Sequence, residues 1–139
     1  MSALPAARTG TAWLASALCL AVTLIHVQDQ GGFPGDKEPS YVGAGYYVLE
    51  LAGLLVAGLL LTGRRTGVAS WLLAAGVGLG PLAGYVLSRG PGLPDYTDDK
   101  GNWTEPLGLV SLLVELVLVV VALLALRSAG RAQTVPAEG

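Results

Sequence analysis

The fold is decided by the stretch PLGLVSLLVELVLVVVALLAL, residues 106–126, in which Glu115 is the only charged residue. At about 1.5 Å per residue, a helix of this length crosses a hydrocarbon core of roughly 30 Å. In lipid every backbone N–H and C=O must find its partner inside the segment, so a run this continuous can only be helical. The stretch therefore predicts a transmembrane helix.

Three further apolar runs have similar lengths and are separated by short polar connections. They cover residues 11–27, 43–62 and 67–88, which leaves outer loops at residues 28–42 and 89–105. With 53% hydrophobic and 13% charged residues, the chain has more apolar surface than a small soluble core could hide. The sequence predicts an all-α membrane protein: a single domain over residues 1–139 that forms an up-down four-helix transmembrane bundle.

The basic residues of the connections are distributed unequally between the two sides of this bundle. Five fall on the side of the termini and three on the side of the two longer loops, which are also acidic. By the positive-inside rule we expect a multi-pass protein of the plasma (inner) membrane, with both termini cytoplasmic. The five are Arg8, Arg64, Arg65, Arg127 and Arg131, and the three are Lys37, Arg89 and Lys100.

Composition also excludes several classes of function. A net charge of −2 without a basic arm argues against nucleic acid as a partner. The single cysteine, Cys19, excludes an internal disulfide, and the single histidine, His26, excludes haem held by two histidines, so the sequence names no cofactor. The expected partners are the lipid bilayer and, since four helices are too thin to enclose a wide pore, a homo-oligomer or a larger membrane complex.

Charged residues inside the spans are the candidates for function. Glu50 and Glu115 lie about 10 to 14 Å from the outer ends of their spans. An acid near the bilayer centre costs about 2.5 to 3.5 kcal/mol, so both are expected to face the bundle interior. The first span contributes a polar stripe at three- and four-residue steps that ends near His26. Its members are Ser16, Cys19, Thr23, His26 and Gln30.

These residues predict an outward-facing polar site, made by His26, Glu50 and Glu115 with Tyr46, Ser111, Arg89 and Glu105 nearer its mouth. The residue types permit a divalent metal site at His26, Glu50 and Glu115, an acid–base pair, or a hydrogen-bonded group that only fixes helix register. The favoured function is non-enzymatic binding of a cation, proton or small ligand, as an accessory subunit of a larger complex or alone. The alternatives are an intramembrane acid–base enzyme acting on a lipid-soluble substrate and a small oligomeric transporter.

The third span carries Gly76, Gly80 and Gly84 at four-residue spacing, with Ser88 continuing the row. Small residues along one face allow another helix to approach closely, so the row predicts a helix-packing surface. The alternative is a pocket wall made from exposed backbone.

Two loop-to-span junctions carry a resemblance. They are DQGGFPG (29–35) leading to GYYVLE (45–50), and LSRGPGLP (87–94) leading to WTEPLG (103–108). In these stretches, and in a composition with one Ile and two Lys, the chain resembles small four-span integral membrane proteins of high-GC bacteria. The resemblance implies the four-span fold and no activity. Because both lie at the same interface, Arg89 and Glu105 are expected to face each other.

Overall fold

The computed structural model describes residues 6–62 and 67–134, with side chains for residues 9–62 and 67–131. In these ranges it contains four α-helices and no strand: α1 (Ala6–Asp29), α2 (Ser40–Leu61), α3 (Val68–Arg89) and α4 (Pro106–Thr134). Each helix is long and apolar enough to cross a membrane. The predicted all-α four-helix bundle is confirmed.

Helix ends differ from the predicted spans where local chemistry allows the helix to continue. Helix α2 begins at Ser40, three residues early, directly after Pro39, whose ring fixes φ at −68° and which has no backbone N–H to satisfy ahead of the helix. Helix α4 begins at Pro106 as predicted but runs on past residue 126 to Thr134. Residues 63–66, which include Arg64 and Arg65, and the side chain of Arg8 lie outside the described residues.

The helices pack as two tight pairs, α1 with α2 and α3 with α4, and α4 also packs on α1. Single glycines permit the closest approaches: a Cβ at Gly53 would lie 2.2 Å from Thr23 Oγ1, and one at Gly78 would lie 2.9 Å from the Glu115 carbonyl oxygen. Helices α2 and α3 approach each other less closely, and α2 does not touch α4 within the described ranges. The bundle is therefore loosest along α2 and α3.

The predicted packing role of the glycine row in α3 is wrong. A Cβ at Gly76, Gly80 or Gly84 would meet no atom within 4 Å, so no helix lies against this face. Helix α4 packs instead on the side marked by Gly78, which is two residues, or about 200°, around α3 from Gly76 and Gly80. The three glycines instead form a pocket wall of exposed backbone, which was the alternative interpretation of the row.

Candidate ligand-binding cavity

A cavity of about 610 Å³ lies between α2 and α3 and is completed by residues of α1 and α4. Its apolar walls include Leu49 and Val56 of α2 and Leu72 and Val77 of α3, besides the three bare glycines. From Leu72 to the outer end of α3 the cavity follows the helix for roughly 25 Å. It is thus a deep, mainly apolar space that reaches a polar outer end.

Six of the residues predicted for the site line this one cavity. They are His26, Tyr46, Arg89, Glu105, Ser111 and Glu115. The two long outer loops contribute further lining residues at the polar end, among them Leu93, Tyr96 and Asp99. All four helices therefore contribute residues to one cavity.

His26 is held in a defined orientation at the cavity wall. Its Nδ1 lies 2.8 Å from the carbonyl oxygen of Val22, and because a carbonyl can only accept, Nδ1 carries the hydrogen. In the neutral ring this leaves Nε2 as an acceptor. The ring packs edge-on against Tyr46 with centroids 5.2 Å apart, and the Tyr46 hydroxyl donates to the carboxylate of Asp29.

Glu115 lies deeper, where α4 faces the apolar part of the cavity, and it is 1% exposed. The Ser111 hydroxyl, one helical turn earlier, donates to Glu115 Oε1. This local bond partly satisfies the carboxyl group without a cation. Glu115 nevertheless belongs to the lining of the cavity.

Arg89 fixes the second outer loop over the end of α3. Its Nε donates to the carbonyl of Asn102 at 2.9 Å, and its guanidinium lies 4.0 Å from the centroid of the Tyr85 ring. The guanidinium also lies 4.0 Å from Glu105, as the shared interface suggested. Glu105 accepts the backbone N–H groups of Leu107 and Gly108, which caps the start of α4.

Sequence reasoning missed Lys37, which joins the two outer loops. Its Nζ lies 3.1 Å from Asp29 and within 6 Å of the ring centroids of Tyr46 and Tyr96. Burial is the largest single effect and lowers the pKa of Lys37, but the attraction and hydrogen bonds of Asp29 and Tyr96 together outweigh it and raise that pKa. Tyr41 completes the junction by donating to the carbonyl of Pro94. These contacts join the two outer loops into a cap. The tyrosines in and beside the loops were the sequence signal for it.

Glu50 is not part of the cavity lining. The structure turns it toward α1, where its carboxyl faces the side-chain amide of Gln30. The predicted grouping of His26, Glu50 and Glu115 is therefore not formed: α2 presents Leu49 and Val56 to the cavity and Glu50 to its other neighbour. Nor do three His, Cys, Asp or Glu side chains come together as metal ligands in the part of the chain that the structure describes.

No family model, no curated protein and no solved structure matches this chain. The dimensions, walls and charges of the cavity suit the binding of a molecule with an apolar body and a polar head.

Proposed function

We propose that the protein binds a small amphipathic molecule in the cavity between α2 and α3. The observation that carries this proposal is the cavity itself, because its volume of about 610 Å³ lies within the range of ligand pockets and its apolar length ends in a polar mouth. The glycine row supports it, since bare backbone widens the space where side chains would fill it. The sequence favoured binding of a cation, a proton or a small ligand. This proposal takes the small ligand, and it needs no enzymatic step.

The cavity opens sideways toward the membrane. Val48 and Leu72 line it and are nevertheless 69% and 56% exposed, and Gly76 and Gly80 are exposed on the same side. This is the side on which α2 and α3 are loosely packed. An apolar molecule dissolved in the outer part of the bilayer would enter here, with its head near the outer cap.

The lining favours a ligand with a positively charged head. Among the described residues the lining contains four carboxyl side chains, Asp29, Asp99, Glu105 and Glu115, against one guanidinium, Arg89. Tyrosine rings surround the mouth, and two of them already face the ammonium of Lys37. With Lys37 counted beside Arg89, the four carboxyl groups still outnumber the two basic groups. A ligand cation would therefore meet rings and an excess of carboxyl groups, which an anion would not match.

Matched fluorescent probes test this function. Three probes with one alkyl tail and a quaternary ammonium, a hydroxyl or a sulfonate head are titrated into the purified protein in nanodiscs. We expect the ammonium probe to bind about tenfold more tightly than the hydroxyl probe, equivalent to about 1.4 kcal/mol, and the sulfonate to bind least.

Gly80→Leu supplies the matching variant, because a leucine there projects into free space within the cavity. It should weaken probe binding at least tenfold while the protein stays folded. Gly58→Leu is the control, since a Cβ at Gly58 also meets no atom within 4 Å but Gly58 does not line the cavity. Equal binding by wild type and Gly80→Leu would contradict the proposal.

One observation supports the acid–base enzyme as a second candidate. His26, whose neutral ring offers Nε2 as a base, and Glu115 line the same cavity. An enzyme would convert a bound lipid-soluble substrate, and Glu115→Gln would abolish the conversion while preserving binding. Recovery of an extracted cavity ligand without chemical change after prolonged incubation would argue for the binding function.

A further inference from the structure

We infer that Glu50 and Gln30 form a second site, which holds one monovalent cation, a proton or a sodium ion, between α1 and α2. The site does not depend on the proposed ligand-binding function, because neither residue lines the cavity. It lies on the other side of α2, at the outer end of the α1–α2 interface.

Glu50 and Gln30 together bury more hydrogen-bond acceptors than there are donors among the described residues to satisfy them. Glu50 is 4% exposed and Gln30 is 1% exposed. Both carboxyl oxygens of Glu50 and the amide oxygen of Gln30 find no hydrogen-bond partner within residues 6–62 and 67–134. The amide nitrogen of Gln30 donates to the Gly32 carbonyl at 2.9 Å. A buried polar atom without a partner destabilises the fold and a buried charge does so more strongly, so this cluster needs a positive charge or a proton.

The surrounding structure encloses the cluster of Glu50 and Gln30. Below it, the Thr23 hydroxyl donates to the backbone carbonyl of Glu50, and Gly53 lets α1 and α2 touch. Above it, the first outer loop folds over Gln30: Asp36 N–H donates to the Gln30 carbonyl, and a Cβ at Gly35 would lie 2.5 Å from the Gln30 side chain. The acceptors are therefore held in place by close packing, and they cannot turn out to water without a local rearrangement.

The nearby basic side chains already pair with other carboxylates. Lys37 pairs with Asp29, and Arg89 lies between Asp99 and Glu105. The side-chain amide of Gln30 faces the Glu50 carboxyl, but its nitrogen already donates to the Gly32 carbonyl. The titratable or charged groups around this interface include Cys19, His26 and Asp29 of α1, Asp36 and Lys37 of the loop, and Tyr46 and Tyr47 of α2.

The chemistry of the site selects a single hard positive charge. One carboxylate supplies one negative charge, so one monovalent cation neutralises it inside a region of low dielectric. Carboxylate and amide oxygens are hard ligands, suited to a proton or a sodium ion and unsuited to soft metals. A divalent ion would leave a net positive charge buried among apolar residues, which is as costly as the bare carboxylate.

Infrared difference spectroscopy and melting curves of the full-length protein in nanodiscs distinguish the two cations. If a proton occupies the site, wild type minus Glu50→Gln shows a carboxylic-acid carbonyl band that shifts in D₂O. If sodium occupies it, the same difference shows a carboxylate band. The melting temperature of wild type then rises by several degrees as NaCl replaces choline chloride at constant ionic strength, because a ligand of the native state stabilises it.

Glu115→Gln is the matched control, because it removes the other buried acid from a different interface. It should leave the Glu50 band and any sodium response intact. Glu50→Gln should lose both but keep ammonium-probe binding, so failure of this site and failure of the cavity function are separate results. Should Glu50→Gln fold poorly, the sodium titration of wild type and the acid band that remains in Glu115→Gln decide the question.

The inference is overturned by a Glu50 carboxylate band together with a melting temperature that does not respond to sodium. It is equally overturned if Glu115→Gln lacks an acid band and its melting temperature is unaffected by sodium, since Glu50 would then carry a charge that no bound cation compensates.

Discussion

Glycine has two opposite uses in this bundle, and single positions decide which applies. At Gly53 the missing side chain allows α1 and α2 to touch, while at Gly80 it leaves open space. The difference depends on which side of each helix faces a neighbour, and a four-residue spacing alone does not contain that information.

Gly53→Ala should therefore destabilise the protein, whereas Gly80→Ala should not. A methyl at residue 53 would lie 2.2 Å from Thr23 Oγ1 and 3.0 Å from the Cys19 carbonyl, and such overpacking costs about 1 to 3 kcal/mol. At residue 80 the methyl meets nothing within 4 Å. Alanine there should stabilise the helix by up to about 1 kcal/mol. Reversible unfolding in one detergent, followed by circular dichroism, measures both variants, and equal effects would contradict the assigned packing.

Between elements, the outer loops act as a cap because each is tied to a helix end and to the other loop. Lys37 links the first loop to Asp29 at the end of α1 and to Tyr96 of the second loop. Burial lowers the pKa of Lys37, but Asp29 and Tyr96 together outweigh burial and raise it above the ordinary value of 10.5. Burial and the hydrogen bond to Asp99 raise the pKa of Tyr96.

The cap should consequently weaken at alkaline pH. A group whose folded-state pKa is raised contributes its full stability below the unfolded pKa, and that stability is lost as pH rises through the folded pKa. For Lys37 the loss begins near pH 10.5, and Tyr96 adds a loss of the same sign that begins near pH 10.0. The contribution of Lys37 and Tyr96 to the melting temperature should therefore be constant from pH 7 to about pH 9 and fall above it. The fall should be smaller in Lys37→Met, and an identical fall in that variant would remove Lys37 from the explanation.

The second loop should depend on Arg89. Arg89→Gln removes the contact with the Tyr85 ring and the hydrogen bond to the Asn102 carbonyl, so residues 90–105 should open more often. We expect cleavage in this loop by a non-specific protease to become several-fold faster. Lys100→Gln, an exposed position in the same loop, is the control. An unchanged cleavage rate in Arg89→Gln would show that the loop is held by other contacts.

Across the whole molecule, the sequence predicted the helices and the depth of the polar residues but not the rotation of each helix about its axis. Glu115 and Glu50 lie at similar depths, yet α4 turns Glu115 into the cavity while α2 turns Glu50 toward α1. The rotation of a helix depends on which helices are its neighbours. No local sequence pattern contains the order of the helices around the bundle. The same missing information explains the wrong prediction for Gly76, Gly80 and Gly84.

Orientation in the membrane stays a prediction, based on the unequal distribution of basic residues. In a Cys19→Ser background, cysteines at Asp36 and Asp98 in the outer loops should react with an impermeant maleimide added to intact cells, and a cysteine at Thr66 should react only after lysis. Cys19 is fully buried and is the single cysteine of the chain, so its replacement leaves the introduced cysteine as the only thiol. Labelling at Thr66 alone in intact cells would reverse the topology. The cap, the cavity mouth and the Glu50 site would then face the cytoplasm, and a cationic ligand would enter from the inner leaflet.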